Sequence, residues 1–164
     1  MIIMGIDPGT AVTGYGVIAV SGNAVSWVDS GAVVTDTSEP LSQRLLTIYD
    51  ALSEKINEHS PGRVAVEEAF YGKNVRTTLV LGHARGAAMV AAARRGCAVF
   101  EYSPREVKKA VTGNGNASKE QVEYMIKTLL RPGGGKTRQD AYDALAVAMC
   151  DFYNMGRAAL IPKK

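Results

Sequence analysis

The sequence predicts an α/β fold: a mixed five-stranded sheet, three antiparallel strands followed by αβ alternation, with helices on both faces. Three observations predict it. Three strand-like runs come first, divided by turn residues. After them, stretches with helical and strand character alternate. Two of the strands, at Ile2–Ile6 and Arg63–Val66, are short and apolar, as strands covered by helices on both faces are.

Each element has its own signal. Ile2 to Ile6 ends at Asp7-Pro8-Gly9, a strand running into a turn. Thr13 to Val20 and Ala24 to Val34 are rich in Val, Ile, Tyr and Trp, and Ser21-Gly22-Asn23 between them reads as a hairpin. Leu41, Leu45, Ile48, Leu52 and Ile56 form the apolar stripe of an amphipathic helix, stopped by Ser60-Pro61-Gly62. Arg63 to Val66 is a fourth strand ending at Glu67-Glu68, and Phe70 to Asn74 reads as a loop. Thr77 to Arg95 is Ala-rich and helical, closed by Gly96, and Ala98 to Tyr102 is the fifth strand.

The later helices announce their starts. Ser103-Pro104-Arg105-Glu106 places Ser at N-cap, Pro at N1 and Glu at N3, and Ser118-Lys119-Glu120-Gln121 repeats the logic. Gly113-Asn114-Gly115-Asn116 between them reads as a flexible polar loop, and Arg131-Pro132-Gly133-Gly134-Gly135 ends the second of these helices. A last helix is expected from about Gln139 to Tyr153, with Gly156 after it. Residues 1–156 therefore read as a single domain and 157–164 as a frayed tail.

Composition excludes several classes. Of 164 residues, 46% are apolar and 21% charged, which suits a globular chain with a core that needs no staples. No apolar run is long enough to span a membrane, and the start lacks the basic region of a signal peptide, so a cytoplasmic protein is expected. Cys97 and Cys150 match no zinc spacing and sit among apolar neighbours, where buried free thiols are expected. The net charge of +3 is mild, but Lys73, Arg76, Arg85, Arg105, Lys108, Lys109, Lys119, Lys136 and Arg138 gather in the part of the chain that follows the fourth strand. That distribution suits an anionic partner and equally a solvated surface.

The carboxylates carry the chemistry. Asp7 ends the first strand, and Glu67 or Glu68, alike in local pattern, ends the fourth. Asp140 and Asp143 stand at i and i+3 on the last helix and share a face. Parallel neighbours bring their carboxyl ends to one edge, where open α/β sheets bind ligands. A helix crossing that edge gathers four carboxylates, whose mutual repulsion calls for a cation. Hard divalent ions take oxygen ligands, and a pair of them roughly 4 Å apart can activate water against a phosphodiester. Taken singly, each carboxylate also fits an ordinary turn or first-turn helix residue.

Several segments together resemble the RuvC family of crossover junction endodeoxyribonucleases. They are Gly5-Ile6-Asp7-Pro8-Gly9-Thr10 with Thr13-Gly14-Tyr15-Gly16-Val17, then Val66-Glu67-Glu68-Ala69-Phe70, then Lys73-Asn74 with Leu81-Gly82-His83-Ala84-Arg85-Gly86. Glu101-Tyr102-Ser103-Pro104-Arg105-Glu106-Val107-Lys108 and Asp140-Ala141-Tyr142-Asp143-Ala144-Leu145-Ala146 complete the set, which spans about Ile2 to Asp151. The resemblance implies a ribonuclease H-like fold and a Mg²⁺-dependent nuclease that resolves Holliday (four-way) junctions by paired, symmetric cuts in recombination and repair. It implies two Mg²⁺ per site, with Mn²⁺ as a substitute, a homodimer, and a branch-migration helicase complex of the RuvA and RuvB type as partner. It selects Glu67 over Glu68 and sets the catalytic and metal-binding carboxylates at Asp7, Glu67, Asp140 and Asp143. Lys119 falls near the scissile phosphate, Lys108 near a neighbouring one, and Phe70 on the aromatic that meets bases at the junction. From the residues alone, Phe70 fits a core position as well as an exposed one. Lys73, Arg76 and Arg105 are further candidates for phosphate contacts, and His83, where many members carry Gln, has no catalytic role assigned.

The opening motif also resembles the phosphate loop of sugar-kinase and actin-like ATPases. Those need a second related domain and a second loop, and this sequence repeats neither. A binding module that keeps the fold without catalysis is the other alternative, and the complete acid set speaks against it.

Overall fold

The computed structural model describes residues 1–68, 75–132 and 138–158. The strands are β1 (Ile2–Asp7), β2 (Val12–Ser21), β3 (Ala24–Val34), β4 (Arg63–Glu67) and β5 (Ala98–Tyr102). The helices are α1 (Leu41–His59), α2 (Val75–Arg94), α3 (Pro104–Thr112), α4 (Lys119–Leu130) and α5 (Gln139–Ala158). The sheet order is β3-β2-β1-β4-β5, antiparallel through β3, β2 and β1 and parallel through β1, β4 and β5. This is the predicted mixed sheet.

Strand alternation sorts the side chains onto two faces. Met4, Ile6, Val17, Val64 and Val66 meet α1 and α2 through Ile48, Leu52, Ile56, Ala84, Ala88 and Ala91. Ile3, Ile18 and Ala65 face the other way, onto α3, α4 and α5. Asp7 has the parity of Ile3 and Gly5, and Glu67 that of Arg63 and Ala65, so both acids belong to the α5 side. The same alternation separates Glu67 from Glu68, which is exposed and donates its N–H to the Tyr102 carbonyl at 2.9 Å.

α5 lies across the strands in a groove made by glycines. A Cβ on Gly5 would stand 2.1 Å from the Ala144 carbonyl oxygen, and one on Gly14 would stand 2.0 Å from that of Asp140. A Cβ on Gly16 would stand 2.7 Å from the Leu145 nitrogen. Gly5 pairs with Gly16 across β1 and β2, and Asp7 pairs with Gly14. The helix backbone therefore rests directly on the strands, and its first turn sits over the end of β1.

A buried ion pair fixes the other half of α5. Asp151 is fully buried and accepts from Arg63 Nε at 2.7 Å, Arg63 Nη2 at 2.8 Å and the Tyr102 hydroxyl at 2.7 Å. The guanidinium stacks on Phe100, 3.7 Å from the ring centroid. Burial raises the Tyr102 phenol well above its ordinary value, so it stays a donor. Removing one partner of such a pair leaves the other uncompensated. Asp151→Ala should lower stability by about 3 kcal/mol and Tyr102→Phe by about 1 kcal/mol, both read by urea unfolding. Equal, negligible losses would show that α5 is held by packing alone.

Four expectations need correction. α5 runs through Gly156 to Ala158 instead of ending near Tyr153, because a single helix glycine costs only about 1 kcal/mol relative to alanine. The predicted tail therefore begins inside the helix. Gly113–Asn116 is a hydrogen-bonded turn: Asn116 N–H donates to Asn114 Oδ1 at 2.9 Å, and the Thr112 hydroxyl donates to the Asn114 carbonyl at 3.0 Å. Cys97 is only half-buried, at the turn before β5, and Cys150 is buried as expected. α2 begins at Val75, two residues before the expected start. Among the described residues, no helix is long and apolar enough to cross a membrane.

Candidate active site

β1 and β4 are parallel neighbours, with Ile6 beside Val66, so their carboxyl ends bring Asp7 and Glu67 together. The two carboxyl groups share a side-chain hydrogen bond. Asp143 on α5 lies close enough to act electrostatically on both, and Asp140 acts on Asp7. Asp7, Glu67 and Asp143 thus act on one another from the ends of β1 and β4 and the start of α5, and Asp140 reaches Asp7, although among the described residues no three of the four place ligand atoms within 4.8 Å of one another.

Their electrostatics show a shortage of positive charge. Burial, and then the charges of Asp143 and Asp140, raise the Asp7 carboxyl despite the hydrogen bond from Glu67. Burial and the neighbouring Asp7 charge push Glu67 up to about 8. Near neutrality the pair holds one proton between two carboxylates. Lys119 supplies the nearest cation: its ammonium donates to Asp143 Oδ2 at 2.9 Å, and that contact raises its own pKa. Gln139 Nε2 donates to Asp143 Oδ1 at 3.4 Å, and Arg138 Nε lies 3.7 Å from Asp140 Oδ2. A crowded, partly protonated all-oxygen donor set with one lysine beside it fits a hard divalent cation.

A sign follows for stability. A carboxyl raised in the folded state contributes stability below its unfolded value, near 4.5, and loses it as pH rises through about 8. Glu67→Gln should therefore melt higher than the parent in EDTA, with a gap that widens from pH 5 to pH 9, to a few degrees at the roughly 2–4 °C per kcal/mol of a chain this size. A gap that stays constant or shrinks with pH would refute the repulsion.

The cleft beside the carboxylates is about 250 Å³. Lys108 and Lys119 line it, with Glu67 and Asp143. Pro104, Val107, Val122 and Ala146 give it an apolar floor. Both lysines stand near helix starts that the sequence marks: Ser103 accepts from Glu106 N–H and Ser118 from Gln121 N–H, each at 3.3 Å, and each box is closed reciprocally. Of the other predicted contacts, Phe70 and Lys73 lie outside the described residues, as does the Gly133-Gly134-Gly135 stretch. Arg76 has only its backbone described, in the first turn of α2. His83 is exposed on α2.

Two features went unread in the sequence. The glycine groove was legible only as motif letters, although Gly14 and Gly16 share one strand face and mark it as bare. The Arg63–Tyr102–Asp151 network left no sequence signal, because its members are far apart in the chain. A second ligand-type cluster lies elsewhere. Among the described residues, Asp29, Glu58 and His59 place ligand atoms within 4.8 Å of one another. Lys55 already fills that space, with its ammonium 3.0 Å from Asp29 Oδ2 and 2.9 Å from Glu58 Oε2.

The chain matches known proteins over most of its length. Residues 3–151 match the family model for crossover junction endodeoxyribonuclease RuvC. The protein of that name from Pelotomaculum thermopropionicum is 49% identical over 154 residues, covering 94% of each chain. That from Geotalea uraniireducens is 51% identical over 150 residues, covering 92% of this chain and 87% of its own. Thermus thermophilus RuvC in complex with Holliday junction substrate superposes with a TM-score of 0.89 at 33% identity, over 96% of each chain. The yeast mitochondrial resolvase Ydc2, at 12% identity and a TM-score of 0.69, shares the fold. The chain belongs to the RuvC family of crossover junction endodeoxyribonucleases, with that family's ribonuclease H-like fold.

Proposed function

We propose that the protein is a divalent-metal-dependent endodeoxyribonuclease that resolves four-way DNA junctions by paired, symmetric phosphodiester hydrolysis. The observation that carries this reading is the gathering of Asp7, Glu67, Asp140 and Asp143 at the carboxyl edge of β1 and β4, in a chain of this family. The family match spans residues 3–151, which include all four carboxylates, and the relative solved with a Holliday junction covers 96% of this chain.

Asp7, Glu67, Asp140 and Asp143 would hold Mg²⁺, two ions per site, with Mn²⁺ able to substitute. When bound, the ions supply Lewis acidity that activates water and offsets charge on the phosphate. The protein's own groups do the rest. Glu67 and Asp7 give up their shared proton, so occupancy rises with pH across the neutral range. Lys119, held beside Asp143, places a fixed positive charge next to the scissile phosphate. Lys108 holds a neighbouring phosphate and sets the strand's register. Phe70 stacks on an unpaired base at the junction centre, worth about 1–3 kcal/mol, and Lys73, Arg76 and Arg105 add phosphate contacts. Hydrolysis by water requires no covalent protein intermediate, so no Ser, Cys or Tyr nucleophile is assigned.

Two opposed cuts in a nearly two-fold substrate require two identical sites, which a C₂ homodimer supplies. The protein acts in the cytoplasm, in recombination and repair, with a branch-migration helicase complex of the RuvA and RuvB type. The single nuclease domain extends through α5.

Cleavage of a synthetic mobile four-way junction and a matched linear duplex, with Mg²⁺ and with EDTA, tests the reading. Paired symmetric nicks in the junction alone, lost with EDTA, are expected. A folded protein that binds junctions yet cleaves none across several core sequences would make it a binding module. Lys108→Ala and Lys119→Ala should each slow cleavage, and any lost binding should flatten the salt dependence by about one unit of log–log slope. Unchanged rates and slopes would remove both lysines from the phosphate path.

A further inference from the structure

We propose that Gly115 is a positioning residue for DNA binding: the space left by its missing side chain holds the stem of Arg105 and fixes that guanidinium as a phosphate contact beside the cleft. The proposal rests on the nuclease reading above and adds how one of its phosphate contacts is held in place.

The backbone does not require a glycine at 115. Among the described glycines, positive φ occurs at Gly22, Gly96 and Gly113 and not at Gly115, so an L residue fits its conformation. The surroundings are what require it. A Cβ there would stand 2.7 Å from Arg105 Cγ, 3.2 Å from Arg105 Nε and 3.3 Å from the Arg105 carbonyl oxygen. The arginine stem therefore lies against the turn between α3 and α4, and Gly115 is half-buried although it sits in a surface turn. The turn is held on both sides of Gly115. Asn114 N–H donates to Thr112 Oγ1 at 3.1 Å, Ala117 N–H donates to the Asn114 carbonyl at 3.2 Å, and Ala117 itself is buried. Bulk added at 115 displaces the flexible arginine before it displaces the turn.

The charge held there is unanswered. Among the described residues, the Arg105 side chain has no hydrogen bond or ion pair. Its neighbour Glu106 is committed to the capping box, where Oε2 accepts from the Ser103 N–H at 2.9 Å and from the Ser103 hydroxyl at 2.6 Å. Other cations of the region are paired, Lys119 with Asp143 and Arg138 with Asp140. Arg105 and Lys108 stand at i and i+3 on α3 and share a face, and Lys108 lines the cleft. An unpaired guanidinium on that face offers its fork of donors to a phosphodiester of the strand that Lys108 holds. Ordering a rotamer-rich side chain weakens association, and this stem is ordered beforehand.

Junction binding in EDTA, measured across a salt series, tests the proposal on the parent, Arg105→Ala, Gly115→Ala and the double variant, with thermal melts to establish folding. Arg105→Ala should weaken binding and flatten the log–log salt slope by about one unit per site. Gly115→Ala removes no charge, yet it should weaken binding about 2-fold to 10-fold and flatten the slope in the same direction. The double variant should bind no more weakly than Arg105→Ala, because Gly115 acts only through the arginine. Gly62→Ala, whose Cβ meets nothing within 4 Å, should match the parent. A parental slope in Arg105→Ala overturns the phosphate contact, and that arm needs no glycine variant to fold. A parental slope in folded Gly115→Ala, or losses that add in the double variant, overturns the positioning role. Failure of the parent to cut the junction with Mg²⁺ would overturn the nuclease reading itself, so the two failures are distinguishable.

Discussion

Asp7→Asn should abolish cleavage, by roughly 10³-fold or more, and leave folding and junction binding intact. Asp7 stands at the end of β1, opposite Gly14 and hydrogen-bonded to Glu67. The carboxamide has the same shape and can donate to Glu67, which removes a repulsion that the metal-free protein carries. Nothing in the packing is disturbed. What is lost is one anionic ligand from a set of four. Single-turnover cleavage, a gel-shift in EDTA and a thermal melt measure the three quantities separately. A variant that loses binding or folding along with activity would assign Asp7 a structural role.

The second large effect belongs to a residue with no chemistry. Gly14→Ala should slow cleavage by about 10²-fold or more, since ångström-scale misplacement of catalytic groups has that consequence. Its methyl group would stand 2.0 Å from the Asp140 carbonyl oxygen and 2.6 Å from the carbonyl carbon. Both are backbone atoms, so no rotamer change relieves the clash. The first turn of α5 must lift off β2, and Asp140 and Asp143 lift with it. Overpacking of this kind costs about 1–3 kcal/mol of stability. Gly62→Ala, at a position with nothing within 4 Å, is the control and should leave the rate unchanged. A fully active Gly14→Ala would show that α5 does not need close contact with the sheet to place its acids.

These two residues show what was legible in the sequence and what was not. The order of elements along the chain and the starts of α3 and α4 were readable because their causes are local. The capping boxes at Ser103 and Ser118 are complete within four residues, and the three opening strands are separated by their own turns. The acids were readable as strand-end and i, i+3 positions. The choice between Glu67 and Glu68 was not readable from local pattern, because it depends on which face of β4 carries the site. That became visible once Ala65 and Arg63 were seen to face α5. The glycine groove depends on cross-strand register, Gly5 to Gly16 and Asp7 to Gly14, which no single strand encodes. Asp151 is similar: at i+8 from Asp143 it reads as one more helix acid, and only the fold brings Arg63, 88 residues away, against it.

Every step of the proposed cleavage depends on the carboxylates beneath α5 being the cation site. Calorimetric titration of Mn²⁺ into the parent, Asp7→Asn and His59→Ala tests it most directly, because Asp29, Glu58 and His59 form a rival cluster in the same molecule. Mn²⁺ should bind the parent, fail to bind Asp7→Asn and still bind His59→Ala. Binding that survives in Asp7→Asn and disappears in His59→Ala would contradict it.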